Sequence, residues 1–217
     1  MFKYKFFIYI LLFFMKGSPM ISKLTFLKTH FYQTIILVFI CCLSLGCSKY
    51  SNEVQTNLTK LKKTKACSGC DLSGIELISF DLKNADISSA NLTGANLSRS
   101  DLTGANLTDT NLSGADLLGV NLTGATLTNT NLTGVKLSYA DISEVEMSNV
   151  MLAGAKMNNA KVVNSSISYS DMTGANLYNA DLTNTRVSDK ILKDTVLCKT
   201  IMPSGQTENR SCRRSVL

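Results

Sequence analysis

The sequence predicts an all-β protein built as a parallel β-helix, with a short helix capping its amino-terminal end. From Leu72 to Leu197 every fifth residue is aliphatic or methionine, which gives 26 matches in 26 positions. An α-helix repeats every 3.6 residues and a strand every 2, so neither sustains a strict period of five. A proline inside a sheet would remove a hydrogen-bond donor, and both prolines, Pro19 and Pro203, lie outside the array.

The other positions of the five-residue unit indicate a chain that turns at a fixed interval. Asp or Asn precedes the central residue in 15 of the 26 units, and Ser or Thr follows it in 17. A small residue such as Ala95 often stands two positions before the centre, and glycine often stands two positions after it, as at Gly94. Glycine suits corners that need unusual backbone angles. We therefore expect the central and small residues to face inward and the other three to face outward.

Five residues would form one side of a square coil, and twenty would complete a turn. Turns stacked about 4.8 Å apart would give about 6.5 coils and a rod of roughly 31 Å. Between residues 144 and 170 other residues replace the outer Asp or Asn, and we expect a coil of the same shape with a different outer face. The expected core ladder includes Leu72, Leu92, Leu112, Leu132, Leu152, Leu177 and Leu197.

Units such as Ala-Asn-Leu-Thr-Gly at residues 90–94, with partial copies at 95–98, 105–108 and 175–177, resemble the A(D/N)LXX signature of the pentapeptide-repeat family. The resemblance covers about 128 of the 217 residues, from 70 to 197. It implies a right-handed, quadrilateral parallel β-helix. We place the β-helix domain at residues 67–197.

Residues 1–46 are expected to be a signal or targeting region. An apolar run of twelve residues at 34–45 follows a basic stretch, and it is shorter than the roughly 18 residues that span a bilayer. This shape is typical of a signal peptide. Met20 is a more usual start for such a peptide than Met1, so translation from Met20 is an alternative.

The signal-like segment ends in Leu-Ser-Leu-Gly-Cys at residues 43–47, which resembles the bacterial lipobox. Ser44 and Leu45 are swapped relative to that pattern. The resemblance implies that Cys47 is lipidated and becomes the mature amino terminus. The alternative is an ordinary buried cysteine in an uncleaved signal anchor.

Residues 47–66 are expected to form a tether followed by a capping helix. Val54, Leu58 and Leu61 are spaced to share one helix face, which could lie across the open end of the coil. Lysines at 60, 62, 63 and 65 would form the solvated face, with attraction to a membrane surface as the alternative.

Four cysteines flank the array, and together they could suggest zinc. The pairs would lie at opposite ends of the rod, whereas Zn–S bonds are about 2.3 Å long, so they cannot share one metal ion. We interpret Cys67 and Cys70 as buried capping residues, with a disulfide between them as the alternative. Residues 198–217 resemble the cysteine-bracketed Met-Pro-Xaa-Gly tails that follow many such arrays. This implies a hairpin-like cap, closed by a Cys198–Cys212 disulfide if the protein is exported.

The composition of the chain excludes several classes of catalytic and metal site. The only histidine is His30, so a mature form would lack Ser-His-Asp chemistry and imidazole metal sites. Residues 70–197 carry 8 basic and 14 acidic residues, a net charge of −6, and show no nucleic-acid footprint. Asp81 and Asp101 should stack on successive turns, but a convex carboxylate ladder offers no enclosed site. We therefore expect neither an enzyme nor a cofactor.

We expect an exported, lipid-anchored structural or protein-binding module in the bacterial envelope, on the periplasmic face or at the outer membrane. Its partner would be an unknown protein or envelope component, and the membrane would be reached through the lipid anchor. The alternative is a cytoplasmic DNA mimic similar to the gyrase-protecting members of the family. The acidic array favours that alternative, whereas the export signal and the absence of central phenylalanines count against it.

Overall fold

The computed structural model describes residues 49–212. Helix α1 (Asn52–Thr64) comes first, and its buried residues are Val54, Leu58 and Leu61. These three belong to the same apolar core as the coil that follows, so the helix face expected from the sequence is the face that packs. No helix in this part of the chain has the length and hydrophobicity of a membrane span.

Most of the rest of the described chain is a coil held together by parallel pairing between residues 20 positions apart. Asp71 pairs with Asn91, Asn91 pairs with Asn111, and the same spacing recurs up to Ile201. Four five-residue units therefore complete one turn, as the period predicted. We refer to the units that begin near residues 71, 76, 81 and 86 as sides one to four, each recurring every 20 residues.

The hydrogen bonds of one unit explain its sequence. Four of the five backbone N–H groups donate to backbone carbonyls, and in one such unit they belong to Leu92, Gly94, Ala95 and Asn96. The fifth belongs to Thr93, and it donates to the side-chain Oδ1 of Asn91 at 3.2 Å. All 15 units with Asp or Asn before the centre contain this bond, with distances between 2.9 and 3.2 Å. The outer Asp or Asn thus serves as an acceptor for the backbone.

Each unit turns its corner at a residue with positive φ. From Gly74 to Asn184 every fifth residue has φ between 53° and 69°. Side chains with a Cβ are disfavoured in this left-handed region, and asparagine tolerates it better than most. Glycine or asparagine accordingly occupies 16 of these 23 corners. The sequence interpretation used the glycines and missed the asparagines, although both recur at the same spacing.

The inward positions form the core. Every leucine of the predicted ladder is at most 1% exposed. Most hydroxyl groups at the small inward position are also buried and donate to carbonyls of the preceding turn, as Thr110 does to Ile87 at 2.9 Å. Among the described residues no buried side-chain N or O atom lacks a hydrogen-bond partner. Burying one such leucine contributes about 1.5–3 kcal/mol, so the ladder is a main source of stability.

The stretch with weaker repeats keeps the shape of the coil, as expected. On side four it forms a parallel sheet of strands β1 (Glu146–Ser148), β2 (Ser166–Ser168) and β3 (Arg186–Val187). Met147 pairs with Ile167, and Ile167 pairs with Val187, which preserves the 20-residue spacing. The pairing uses backbone groups, so it does not depend on the outer side chains.

The period of five predicted a uniform coil up to residue 197. The coil is interrupted before that point. After β3 the chain forms a short helix, α2 (Asp189–Leu192), in place of a corner. Lys190 falls at the small inward position of its unit and is exposed instead. Burying an unpaired ammonium group costs several kcal/mol, which explains why the backbone leaves the coil here. Leu192 still reaches the core and is 2% exposed.

The chain ends in an antiparallel hairpin of strands β4 (Thr200–Ile201) and β5 (Thr207–Glu208). Its turn contains Gly205 at φ 83°, a conformation that glycine adopts easily. Ile201 also pairs in parallel with Asp181, so β4 belongs to the last turn of the coil. Strand β5 then pairs with β4 in the antiparallel direction.

Candidate functional site

The amino-terminal end of the coil contains a disulfide between Cys67 and Cys70. The preferred sequence interpretation, two buried cysteines without a bond, is therefore wrong, and the alternative is what the structure contains. Both residues are buried, at 0% and 7% exposed. The short spacing lets the bond close within the first unit of the coil, where helix α1 covers it. The Asn57 side chain donates to the backbone carbonyl of Asp71 at 3.0 Å and fixes the helix on this end.

The carboxyl-terminal cap is closed by a disulfide between Cys198 and Cys212. Two further bonds tie the cap to the coil: the backbone N–H of Ser211 donates to Leu197 at 2.9 Å, and the Arg210 guanidinium donates to the carbonyl of Leu192. Because all four cysteines that flank the array are in disulfides, no thiolate from them is available to a metal ion. Within residues 49–212 no cluster of His, Cys, Asp and Glu is placed to hold one.

The predicted lipidation site, Cys47, lies outside the described residues, as does the signal-like segment before it. The first described residues, Lys49 and Tyr50, are followed by Ser51, the N-cap of helix α1. The hydroxyl of Tyr50 accepts a hydrogen bond from the backbone N–H of Glu76 at 3.1 Å. This contact holds Tyr50 against the first unit of side two.

The outer carboxylates stack as expected, since Asp81 pairs directly with Asp101 on the next turn. The Lys65 ammonium donates to Asp81 at 2.9 Å and lowers the pKa of that carboxyl below its usual value. The hydroxyl and backbone N–H of Ser88 lower the pKa of Asp86 in the same way. A general acid needs a raised pKa at neutral pH, so these groups are poorly suited to that role.

An open cleft of about 500 Å³ lies where helix α2 leaves the coil. Residues 167–173 line one side of it, and Lys190, Ile191 and Asp194 line the other. The hydroxyl and backbone N–H of Thr173 lower the pKa of Asp171, which therefore stays ionised. The lining contains carboxylates, hydroxyls and one ammonium group, but no histidine or cysteine. It offers polar contacts to a ligand and no paired base and nucleophile.

The outer surface is mostly polar, and its large exposed apolar side chains are few. Tyr139 and Tyr169 point outward, as expected, at 66% and 88% exposed. Tyr178 also faces outward but is partly covered, because the Lys199 ammonium lies 5.7 Å from its ring centre. The remaining large apolar groups exposed among the described residues are Ile78, Leu118 and Met151.

A family profile described as "Pentapeptide repeats (8 copies)" matches this chain. The matched segments are residues 67–104, 100–138, 130–168 and 164–189. Together they cover more than half of the chain. No curated protein matches it.

Several solved structures are similar to the chain. HetL, a pentapeptide repeat protein involved in heterocyst differentiation regulation in the cyanobacterium Nostoc, is 29% identical. That match covers 66% of this chain and 74% of HetL, with a TM-score of 0.49. A pentapeptide repeat protein of the Arabidopsis thaliana thylakoid lumen is 24% identical over 67% of this chain and 79% of its own, with a TM-score of 0.21. QnrB1, a plasmid-mediated fluoroquinolone resistance protein, is 24% identical over 57% and 71%, with a TM-score of 0.41.

Proposed function

Because this chain belongs to the pentapeptide-repeat family, we propose that it is an exported, lipid-anchored module that binds a protein or another component of the bacterial envelope. The family fold supplies a rigid surface on which outer side chains vary without disturbing the core. The module acts by binding, not by catalysis.

The observation that carries this proposal is the disulfide at each end of the coil, Cys67–Cys70 and Cys198–Cys212. Disulfides persist in oxidising compartments outside the cytosol and are rare within it. A signal-like segment that ends at Cys47 is a separate, sequence-based reason to expect export. Both features are consistent with one destination, the envelope, where a lipidated cysteine would hold the module at a membrane.

The absence of catalysis is proposed on chemical grounds. The carboxylates with shifted pKa values, such as Asp86 and Asp171, are shifted downward and remain ionised near neutral pH. One oxygen of each, Oδ1, accepts a backbone N–H of its own unit and so helps to hold the corner. The finer architecture is part of the proposal as well: a right-handed coil of about 6.5 turns, from the 26 units of the repeat.

The alternative is a cytoplasmic DNA mimic of the gyrase-protecting type. Its support is the net charge of −6 over residues 70–197. The two disulfides count against it, because a reducing cytosol would not maintain them. Protection of gyrase by the purified protein would favour this alternative over an envelope module.

The test is metabolic labelling of cells with a palmitate analogue, combined with fractionation. Wild-type protein should carry the label and be recovered with the membranes, and Cys47→Ala should lose both. The matched control is Cys42→Ala, which removes another cysteine of the same segment and should keep the label. A wild-type protein that is unlabelled, or a Cys47→Ala variant that is still labelled, would contradict the anchor.

A further inference from the structure

Among residues 66–201 the parallel ladder of the coil is broken at one place, on the turn that contains Asp171. Asp171 pairs with the turn before it, but no residue of the following turn pairs with Asp171. The ladder is complete again at Asn176, which pairs with Val196. The break faces helix α2, where the backbone N–H of Ile191 donates to Ser188 within the helix and not to the coil.

The break leaves three backbone groups without the partners that the repeat normally provides. They are the N–H groups of Tyr169 and Met172 and the carbonyl of Ser170, and none of them has a hydrogen-bond partner among the described residues. All three residues line the open cleft of about 500 Å³ between the coil and helix α2. An unpaired backbone edge is a template for pairing with another chain.

Residues 114–117 of the same coil show how the equivalent three groups are paired. The carbonyl of Ala115 accepts from the N–H of Lys136 at 3.0 Å, and the N–H of Leu117 donates to the carbonyl of Lys136 at 2.8 Å. The N–H of Gly114 donates to the carbonyl of Thr133 at 2.9 Å. One segment of four residues, 133–136, therefore satisfies all three groups.

The side chains of the two places correspond as well. Asp116 and Asp171 each use Oδ1 to accept the backbone N–H two residues later. Oδ2 of Asp116 then binds the Lys136 ammonium at 3.0 Å, whereas Asp171 has no ion-pair partner in the described part of the chain. The cleft contains a second carboxylate, Asp194, and one ammonium, Lys190. The charge of its lining therefore favours a cationic side chain opposite Asp171.

We propose that the cleft binds an extended peptide segment of a partner protein as the missing strand of the ladder, with a lysine opposite Asp171. The backbone N–H of that lysine donates to Ser170, and its carbonyl accepts from Met172. The carbonyl three residues earlier accepts from Tyr169. In this mode of recognition backbone hydrogen bonds provide affinity and side-chain contacts provide selectivity. The inference rests on the proposed binding function and names the chemistry of the partner, and it does not depend on the lipid anchor.

The ring of Tyr169 provides a further contact for the lysine of the partner. Tyr169 is 88% exposed, and it lines the same cleft two residues before Asp171. An ammonium group is attracted to the face of a tyrosine ring. This chain already contains such a contact, since the Lys199 ammonium lies 5.7 Å from the ring centre of Tyr178.

Amide hydrogen exchange of the full chain in detergent, measured by NMR, tests whether the edge is open. Asn149 and Leu152 occupy the same places one turn earlier, and their N–H groups are hydrogen-bonded to Ser168 and Asp171. The N–H groups at 169 and 172 should exchange about tenfold faster than these two, or more. Equal exchange of the two pairs would overturn the proposal, because the ladder would then be closed in solution.

The binding probe is the fluorescein-labelled peptide Thr-Gly-Val-Lys-Leu, which is the sequence of residues 133–137. At saturation it should slow exchange at 169 and 172 about tenfold and leave 149 and 152 unchanged. Methylation of the lysine backbone nitrogen removes the donor to Ser170 and should weaken binding about tenfold in fluorescence anisotropy. Methylation of the leucine nitrogen is the matched control and should have little effect. Within the coil the N–H of Leu137 donates to the following turn, away from this edge.

Protein variants test the charge. Asp171→Asn keeps the Oδ1 acceptor but removes the charge, so it should bind the probe several-fold more weakly. Asp141→Asn makes the same change on side three and should bind as wild type does. Cys47→Ala should also bind as wild type does, so this result is independent of membrane anchoring. No binding of the probe, equal effects of the two methylations, or binding only after deletion of residues 213–217 would overturn the proposal.

Discussion

The side-chain Oδ1 of Asn111 lies 3.1 Å from the backbone nitrogen of Ser113 and accepts its hydrogen bond. Asn111→Ala removes that acceptor at the corner of the unit. We expect a loss of about 1 kcal/mol in the free energy of unfolding, the usual contribution of one hydrogen bond. Asn111→Asp retains an acceptor oxygen and should be close to wild type. Urea unfolding of the three proteins measures the difference. Equal stability of Asn111→Ala and wild type would show that this hydrogen bond does not stabilise the fold.

Leu112 is the next residue and is 1% exposed in the core. Leu112→Asp would bury a carboxylate without a partner, which costs more than a single domain can usually tolerate. We expect the array to unfold, with loss of its circular dichroism signal at room temperature. Asn111→Asp is the matched control, since it adds the same group one position away on the outer face. Similar effects of the two substitutions would refute the inward and outward assignment.

These two neighbours show how far the sequence predicts this fold. The period of five was enough to identify Leu112 as inward and Asn111 as outward, because each unit repeats the same local geometry. It did not predict helix α2, because Leu192 keeps the five-residue spacing while the backbone departs from the coil. Lys190 could have indicated this departure, because it is the only charged residue among the 26 small inward positions. A coil cannot bury such a charge unpaired.

The candidate sites were less predictable than the core. Sequence spacing identified the cysteine pairs, but it could not decide whether Cys67 and Cys70 are bonded, because that depends on the first turn and on helix α1. The placement of the exposed apolar side chains was also not evident. Leu118 and Tyr139 are 21 residues apart, and only the stacking of turns shows that they belong to the same side.

Acid should destabilise the coil through its outer carboxylates. The pKa values of Asp86, Asp101 and Asp171 are lower in the folded chain than in the unfolded one, so each group contributes stability above its unfolded pKa, near 3.9. That contribution is lost as the pH falls through the lower, folded values. The urea midpoint should therefore be nearly constant from about pH 7 to 5 and fall below about pH 4. Asp86→Asn keeps an acceptor without titrating, and it should make this fall smaller.

The disulfide of the carboxyl-terminal cap should contribute more stability than the one at the amino-terminal end. Cys198 and Cys212 are 14 residues apart in sequence, and Cys67 and Cys70 are 3 apart. In the chain-entropy relation these loops correspond to about 3 and about 2 kcal/mol respectively. Cys198→Ala should therefore lower the free energy of unfolding more than Cys70→Ala does. It should also promote end-to-end oligomers, since the open end of a sheet exposes unpaired backbone groups. A Cys198→Ala protein that is monomeric and as stable as wild type would show that the cap does not need its disulfide.

The envelope assignment is tested most directly by the oxidation state of the four cysteines that flank the array. It is measured in protein isolated from its own cells. Thiols are blocked at lysis, and non-reduced peptides are analysed by mass spectrometry. The account predicts two linked peptide pairs, Cys67 with Cys70 and Cys198 with Cys212, in nearly all molecules. Blocked free thiols at all four positions would contradict export to an oxidising compartment.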